Sequence, residues 1–171
     1  MGRRVAGLMA LTAAIVLGGP GAGRAGNGEA PYRRLAGEVA LSVRGAVEGM
    51  RRMLAEEGCV RILDEFQDQS GRPLRAALDD LSLTPEEYLE RIFFYDAEGL
   101  GHCRRTQVLA MTTPGSRVVL VCGARFVAAR RRDPRLTEVV LIHETLHTLG
   151  LGENPPTTGE ITSRVFARCG P

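Results

Sequence analysis

Several residue types and sequence features are missing from this chain of 171 residues. It contains no lysine, only three histidines and no apolar run long enough to cross a membrane outside its N-terminal region. Residues 1–25 hold three of the 22 basic residues and no acid, so the rest carries 19 arginines against 20 acidic residues, a net charge of −1. This balance does not support nucleic-acid binding through a strongly positive surface. Internal repeats are also absent, and the roughly 145 remaining residues suffice for one domain.

The N-terminal region has the pattern of a secretory signal peptide. A positive start is followed by an uncharged apolar run over residues 5–17. The small residues on both sides of Arg24 fit a signal-peptidase site, so we predict that residues 1–25 are removed, with cleavage after Ala30 as the alternative. An uncleaved membrane anchor is the competing interpretation, although the run is short for a bilayer span. Residues 26–171 would then be exported as a single domain.

Closely spaced cysteine pairs are missing as well. The four cysteines, Cys59, Cys103, Cys122 and Cys169, lack the short spacings of a zinc site built from four thiolates. An even number in an exported chain indicates two disulfides, for which three pairings are possible. We expect Cys59–Cys103 and Cys122–Cys169, because the second bond would tie a C-terminal helix to a central strand and hold the loop that precedes this helix.

The clearest structural prediction is a helix over residues 134–149. Asp133 is a favourable N-cap, and Pro134 suits the first helical position because its missing N–H would have no partner there. The run over residues 139–142 carries no charge, as expected for a helix in the centre of a domain. Gly150 follows the last apolar position and suits the C-terminal end of the helix.

Two of the three histidines fall on this helix, in the sequence His143-Glu144-Thr145-Leu146-His147. Residues four apart on a helix share one face, so both imidazoles can bind one Zn²⁺ ion from the same side. Glu144 then lies beside the metal, where a carboxylate can accept a proton from water. The alternative is a core helix without a metal, which would leave the charge of Glu144 buried and unpaired at a high cost.

The motif resembles that of the zincin superfamily of zinc metallopeptidases. This resemblance implies that His143 and His147 are zinc ligands, that Glu144 is the general base, and that the chain hydrolyses peptide bonds. Residues 143–153 are also similar to the longer metzincin pattern, in which a glycine precedes the position of the third ligand, here Glu153. The metzincin methionine turn is missing, because all five methionines precede the motif. The resemblance also implies a small sheet packed on the zinc helix, with an edge strand beside the cleft.

The third zinc ligand stays open among three residues, because a catalytic zinc site needs three protein ligands and one open position. Glu153 fits the metzincin-like position and is the preferred ligand. Glu160 would open a C-terminal helix, as a ligand from a following helix does in the gluzincin group, but it also fits a capping box with Thr157. His102 is the third alternative and lies far upstream of the motif.

The predicted fold class is α+β, with N-terminal helices, a small and mainly antiparallel sheet, the central zinc-binding helix and a C-terminal helix. Apolar residues recur every three or four positions from Tyr32 to Leu54 and predict one long helix that stops at Gly58. Residues 130–132 are all arginine and are predicted to form a solvated loop. The other predicted elements are helices near 60–70, at 74–81, from Thr84 and at 158–168, a strand at 92–95, and a hairpin of 106–111 with 117–122.

We therefore predict a small exported zinc-dependent hydrolase that acts on a peptide or protein substrate. It is expected to be a monomer, without a nucleic-acid partner and without membrane association after signal cleavage. The alternative from another class is a non-catalytic exported zinc-binding or structural domain that lacks an open coordination position. Tyr95 and His102 are weaker candidates for oxyanion donors in the cleft, since core packing of Tyr95 and a surface loop for His102 are simpler interpretations.

Overall fold

The computed structural model describes residues 33–105 and 107–170. The predicted signal peptide, residues 1–25, lies outside the described residues. The elements in chain order are β1 (Arg33–Arg34), α1 (Gly37–Leu54), α2 (Glu57–Val60), α3 (Ile62–Glu65), α4 (Leu74–Leu81), α5 (Pro85–Leu89), β2 (Phe93–Asp96), a 3₁₀ turn (Gly101–Arg104), β3 (Ala110–Thr112), β4 (Val118–Val121), α6 (Gly123–Arg132), α7 (Pro134–Thr148) and α8 (Thr158–Cys169).

Local capping residues explain where several helices begin. Before α5, the Thr84 hydroxyl accepts a hydrogen bond from the Glu87 N–H at 3.2 Å, and the Glu87 carboxylate accepts one from the Thr84 N–H at 2.8 Å. Before α7, the Asp133 carboxylate accepts a hydrogen bond from the Leu136 N–H at 3.1 Å. The predictions of α4, α5, α7 and α8 are confirmed. Where the sequence predicted the last residue of a helix, the helix ends within about one residue of it.

The sheet has four strands in the order β1-β2-β4-β3. β1 and β3 pair with their neighbours in the antiparallel sense, and β2 and β4 pair in the parallel sense. The predicted hairpin is confirmed, although its first strand covers only Ala110–Thr112. The α+β fold class is therefore confirmed, and β3 forms one edge of the sheet.

Three helical predictions differ from the structure. The helix predicted near 60–70 is split into α2 and α3 and ends at Glu65, because Phe66 is extended and residues 67–73 form a turn closed by a bridge between Gln67 and Pro73.

α1 begins at Gly37 and not near Tyr32, because Arg33–Arg34 pair with β2 as a strand. The φ of Gly37 is +51°, a conformation that suits glycine. Residues 130–132, expected in a loop, form the last turn of α6. Phe126 and Ala129 are buried on the inner face of α6, so this burial outweighs the polar character of the arginine run.

Helix α7 lies in the centre of the molecule and packs against α1, α6, α8 and β3. Leu141, Ile142 and Leu146 are almost completely buried, and so are the polar side chains around them from His143 to Thr148. A helix with most of its side chains buried cannot rotate about its axis without disturbing the whole core. The packing thus fixes the direction in which the motif residues point.

Two disulfides were predicted and two are present, but the predicted pairing is wrong. The bonds are Cys59–Cys169, with a Cα–Cα distance of 4.4 Å, and Cys103–Cys122, with a Cα–Cα distance of 5.3 Å. The expected bonds fail because α8 runs toward α2 and brings Cys169 there, while Cys122 follows β4 and its N–H bonds to the Leu109 carbonyl at 2.9 Å. Cys122 therefore faces the segment after β2. The first bond still ties the C-terminal helix to the body of the protein.

Among the described residues, none of the helices combines the length and the apolar character that crossing a membrane requires.

Candidate metal centre

Helix α7 places the two histidines of the motif one turn apart on the same face. Their Nε2 atoms are 3.0 Å apart, and their ring centroids are 4.8 Å apart. Both side chains are buried, which restricts the rings to a few orientations. The periodicity of the helix and the packing of α7 together explain why His143 and His147 converge on one point.

Glu153 reaches the same point from the turn that follows α7. Its Oε1 atom lies 3.3 Å from Nε2 of His147 and 3.6 Å from Nε2 of His143. The turn depends on Gly150, whose φ of +109° is unfavourable for other residues, and on the bond from the Leu151 N–H to the Leu146 carbonyl at 3.1 Å. His143, His147 and Glu153 therefore form one group, called here the metal-donor group, whose donor atoms all lie within 4.8 Å of one another.

Each member of the metal-donor group has a second hydrogen-bond partner. Nδ1 of His147 lies 2.7 Å from the Leu151 carbonyl oxygen. Nδ1 of His143 lies 3.0 Å from the Thr162 hydroxyl, and the Thr158 hydroxyl donates to Oε1 of Glu153 at 2.8 Å. Outer partners of this kind orient metal ligands and select the tautomer of each imidazole.

The chemistry of the metal-donor group fits a divalent transition metal. Two imidazole nitrogens and one carboxylate oxygen are a common donor set for such ions, and the group faces a cavity instead of the core. Burial lowers the pKa of His143, with a further contribution from the nearby His147, although Glu153 acts in the opposite direction. A neutral imidazole keeps a lone pair for a metal ion, so the surroundings favour the form that binds metal.

Glu144 lies beside this group and is not part of it. Its side chain is buried, and burial, followed by the negative charge of Glu153, raises its pKa to about 8. The backbone N–H of Thr112, in edge strand β3, acts in the opposite direction by hydrogen bonding. The carboxyl group of Glu144 is thus placed between the metal-donor group and β3, with a pKa close to neutrality.

A cleft formed by two connected cavities opens over these residues. The first has a volume of about 350 Å³ and is lined by the metal-donor group, Glu144, all of β3, and His102 and Arg105 from the 3₁₀ turn and the segment after it. The second has a volume of about 680 Å³, shares Arg105, His143 and Glu144 with the first, and continues along Leu136 and Val140 of α7. His143 and Glu144 therefore lie where the two cavities meet.

The other residues that the sequence offered as zinc ligands or oxyanion donors lie outside the metal-donor group. Glu160 is exposed, and its Oε2 atom accepts hydrogen bonds from the N–H and the hydroxyl of Thr157 at 2.7 and 2.8 Å, so it caps α8 outside the metal-donor group. His102 is exposed and lines the first cavity without joining the donor atoms. Tyr95 lies in β2, opposite Arg34 and Leu120, and is not among the residues lining the cleft.

Four residues around the site were not predicted from the sequence: Arg105, Thr112, Thr158 and Thr162. The two threonines of α8 have a detectable signal, because their spacing of four puts them on one face of a helix that was predicted. Arg105 and Thr112 carry no such signal, since they reach the cleft only through the arrangement of the sheet and the segment before β3.

Comparisons of the chain with models of known protein families, with curated protein sequences and with solved structures gave no match.

Proposed function

We propose that this protein is an exported zinc-dependent hydrolase that cleaves peptide bonds. The observation that carries the proposal is the position of the Glu144 carboxyl group, which lies beside the metal-donor group in a cleft open to solvent. A purely structural metal site does not require a further titratable group beside its ligands, whereas hydrolysis requires a general base there.

In this proposal His143, His147 and Glu153 hold the metal ion. A bound zinc ion would supply Lewis acidity, which acidifies water and polarises a carbonyl oxygen. Glu144 accepts the proton of the attacking water and returns it to the amine that leaves when the C–N bond breaks. A group that performs both steps works best with a pKa near the working pH, and burial of Glu144 raises its pKa in that direction.

The shape of the cleft supports an extended peptide as substrate. Among the described strands β3 is at the edge of the sheet, and it lines the first cavity, so a peptide can pair with it as an added strand. The second cavity begins beside Glu144 and offers Leu136 and Val140 to one side chain of the peptide. Export is supported by the two disulfides, which persist in oxidising compartments.

The test compares the oxidised protein with its Glu144→Gln variant. We expect wild type to contain one zinc ion per chain and to cleave members of a peptide library detected by mass spectrometry. Glu144→Gln should keep the zinc and lose hydrolysis by roughly two to four orders of magnitude, because it removes a general base and no ligand. Glu160→Gln, a matched change of a carboxylate outside the cleft, should leave hydrolysis unchanged.

Two results would reject the proposal in different ways. A wild-type protein without zinc, prepared with no chelator, would remove the metal site itself. A protein that binds zinc but cleaves no library peptide, with or without Glu144, would instead favour the non-catalytic zinc-binding domain.

A further inference from the structure

We propose that Thr158 and Thr162 of α8 are positioning residues that set the geometry of two of the three metal donors. The inference rests on the proposed metal site and extends it to a helix outside the motif. It starts from two distances: 2.8 Å from the Thr158 hydroxyl to Oε1 of Glu153, and 3.0 Å from the Thr162 hydroxyl to Nδ1 of His143.

The two histidines are oriented by chemically different partners. A backbone carbonyl can only accept a hydrogen bond, so the contact with Leu151 requires that Nδ1 of His147 carries the proton. Its Nε2 atom then presents a lone pair to the metal-donor group. His147 therefore needs no further control of its tautomer.

The partner of His143 is a hydroxyl, which can donate or accept a hydrogen bond. When Nε2 of His143 binds a metal ion, its proton must lie on Nδ1, and Thr162 accepts the hydrogen bond. When the Nε2 proton of His143 instead bonds to the lone pair of His147, 3.0 Å away, Thr162 donates to Nδ1. The hydroxyl thus keeps the ring in one orientation through both proton arrangements, which a carbonyl or an aliphatic group cannot do.

Glu153 needs a different kind of support. Its side chain is 36% exposed and comes from a turn, in contrast to the buried histidines of α7. The hydroxyl of Thr158 donates to Oε1, which is the oxygen that lies within 3.6 Å of both Nε2 atoms. This bond fixes one rotamer of a long side chain before metal binds, so less conformational entropy is lost on binding.

Helix α8 is held firmly enough to serve as a reference for both ligands. Ile161 and Val165 are fully buried on its inner face, and Cys169 at its end is bonded to Cys59. The guanidinium group of Arg135, on α7, donates to the Cys169 carbonyl and so connects the two helices directly. Thr158 and Thr162 lie one turn apart on this fixed helix.

The experiment measures zinc affinity of the oxidised full chain by competition with a chromophoric chelator. Thr162→Val and Thr158→Val remove each hydroxyl at nearly constant volume, and each should weaken zinc binding about 10- to 100-fold. Thr162→Ser and Thr158→Ser keep a hydroxyl and should bind within about threefold of wild type. Ser163→Ala, an exposed neighbour on α8, is the control and should bind zinc as wild type does.

Two further measurements separate positioning from folding. The melting temperature of each metal-free variant should stay close to that of wild type, and ¹⁵N chemical shifts should show a changed tautomer ratio of His143 only in Thr162→Val. Valine variants that fold and bind zinc as tightly as wild type would overturn the inference, as would serine variants that fail to restore affinity. If a valine variant does not fold, Thr162→Ala or Thr158→Ala replaces it and should show the same loss of zinc affinity, and wild-type affinity in that alanine variant would overturn the inference.

The outcomes also separate this inference from the proposed function. Zinc affinity that depends on the two hydroxyls, without hydrolysis of any peptide, would reject the hydrolase and keep the positioning role. Hydrolysis and tight zinc binding in both valine variants would reject the positioning role and keep the hydrolase. A wild-type protein that binds no zinc would reject both proposals.

Discussion

At the residue scale, two carboxylates follow the motif and have different roles because their hydrogen bonds differ. Oε1 of Glu153 accepts from Thr158 and faces the two Nε2 atoms. Glu160 forms a capping box with Thr157 at the start of α8. Sequence spacing alone kept both residues as candidates for the third ligand, since the spacing does not reveal which way the chain turns after Gly150.

The role of Glu160 leads to a prediction about pH. The hydrogen bonds from Thr157 lower the pKa of Glu160 below its ordinary value of 4.5. The charged form therefore stabilises the folded state above about pH 4.5, and this contribution is lost as the pH falls through the lowered pKa. We expect Glu160→Gln to melt at a lower temperature than wild type at pH 7, and the difference in melting temperature to shrink as the pH falls below 4.5, by differential scanning calorimetry.

Zinc content is the control for this variant. Glu160→Gln should retain the zinc of wild type, because the side chain caps a helix and donates nothing to the metal. Loss of zinc in Glu160→Gln would assign the third ligand to Glu160 and reject Glu153.

At the element scale, one arginine makes three hydrogen bonds to the segment between β2 and β3. Nη1 of Arg125, on α6, donates to the carbonyls of Arg105 and Val108 at 2.5 and 2.7 Å, and Nη2 donates to the Cys103 carbonyl at 2.8 Å. The Cys103–Cys122 disulfide fixes the same segment covalently. This segment carries His102 and Arg105 into the cleft, so α6 shapes the site without reaching it.

We expect Arg125→Met to lower the free energy of unfolding by about 2–4 kcal/mol, because two partly buried carbonyls and one exposed carbonyl lose a charged donor. Arg132→Met, an exposed change at the end of the same helix, should cost less than about 0.5 kcal/mol. Urea denaturation of both variants measures the difference. Equal stabilities of the two variants would show that the three hydrogen bonds do not hold this segment.

Elements with local signals could be predicted from the sequence, and those set by tertiary contacts could not. Asp133 and Pro134 predict the start of α7, and the period of that helix predicts that the two histidines of the motif share one face. The start of α1 depends instead on pairing of β1 with a strand about sixty residues later, and α6 depends on burial of Phe126 under an arginine-rich outer face. The disulfide pairing failed for the same reason, because it depends on the direction of α8.

At the scale of the whole molecule, the core is built by a close approach of α1 to α7. A Cβ atom added to Gly49 would lie 2.0 Å from Oε1 of Glu138, a buried carboxylate that also pairs with Arg130 of α6 at 3.2 Å. Glu138 thus joins three helices at the end of α7 opposite to the motif. The absence of a side chain at Gly49 lets α1 come near enough to cover α7.

We expect Gly49→Ala to destabilise the protein by about 2–4 kcal/mol, because the new methyl group would displace Glu138 and break its buried ion pair. Gly159→Ala, in helix α8, is the control. A Cβ atom added there would meet no atom within 4 Å, so the change should be tolerated within about 1 kcal/mol. Thermal unfolding of both variants checks this, and a stable Gly49→Ala would contradict the described contact of α1 with α7.

The site as a whole combines α7, the turn after it, α8 and β3. The motif supplied two histidines and Glu144 from a single local pattern, and the glycine spacing favoured Glu153. The outer partners, Thr158 and Thr162, and the wall formed by β3 come from separate parts of the chain, so their positions depend on the complete fold.

The central claim is that His143, His147 and Glu153 hold one zinc ion. Anomalous diffraction at the zinc absorption edge, from crystals grown with zinc, tests it most directly. We expect a single strong peak about 2.0–2.2 Å from Nε2 of both histidines and from a carboxylate oxygen of Glu153. No peak at this position, or a peak coordinated by Glu160 or His102 in place of Glu153, would contradict the claim.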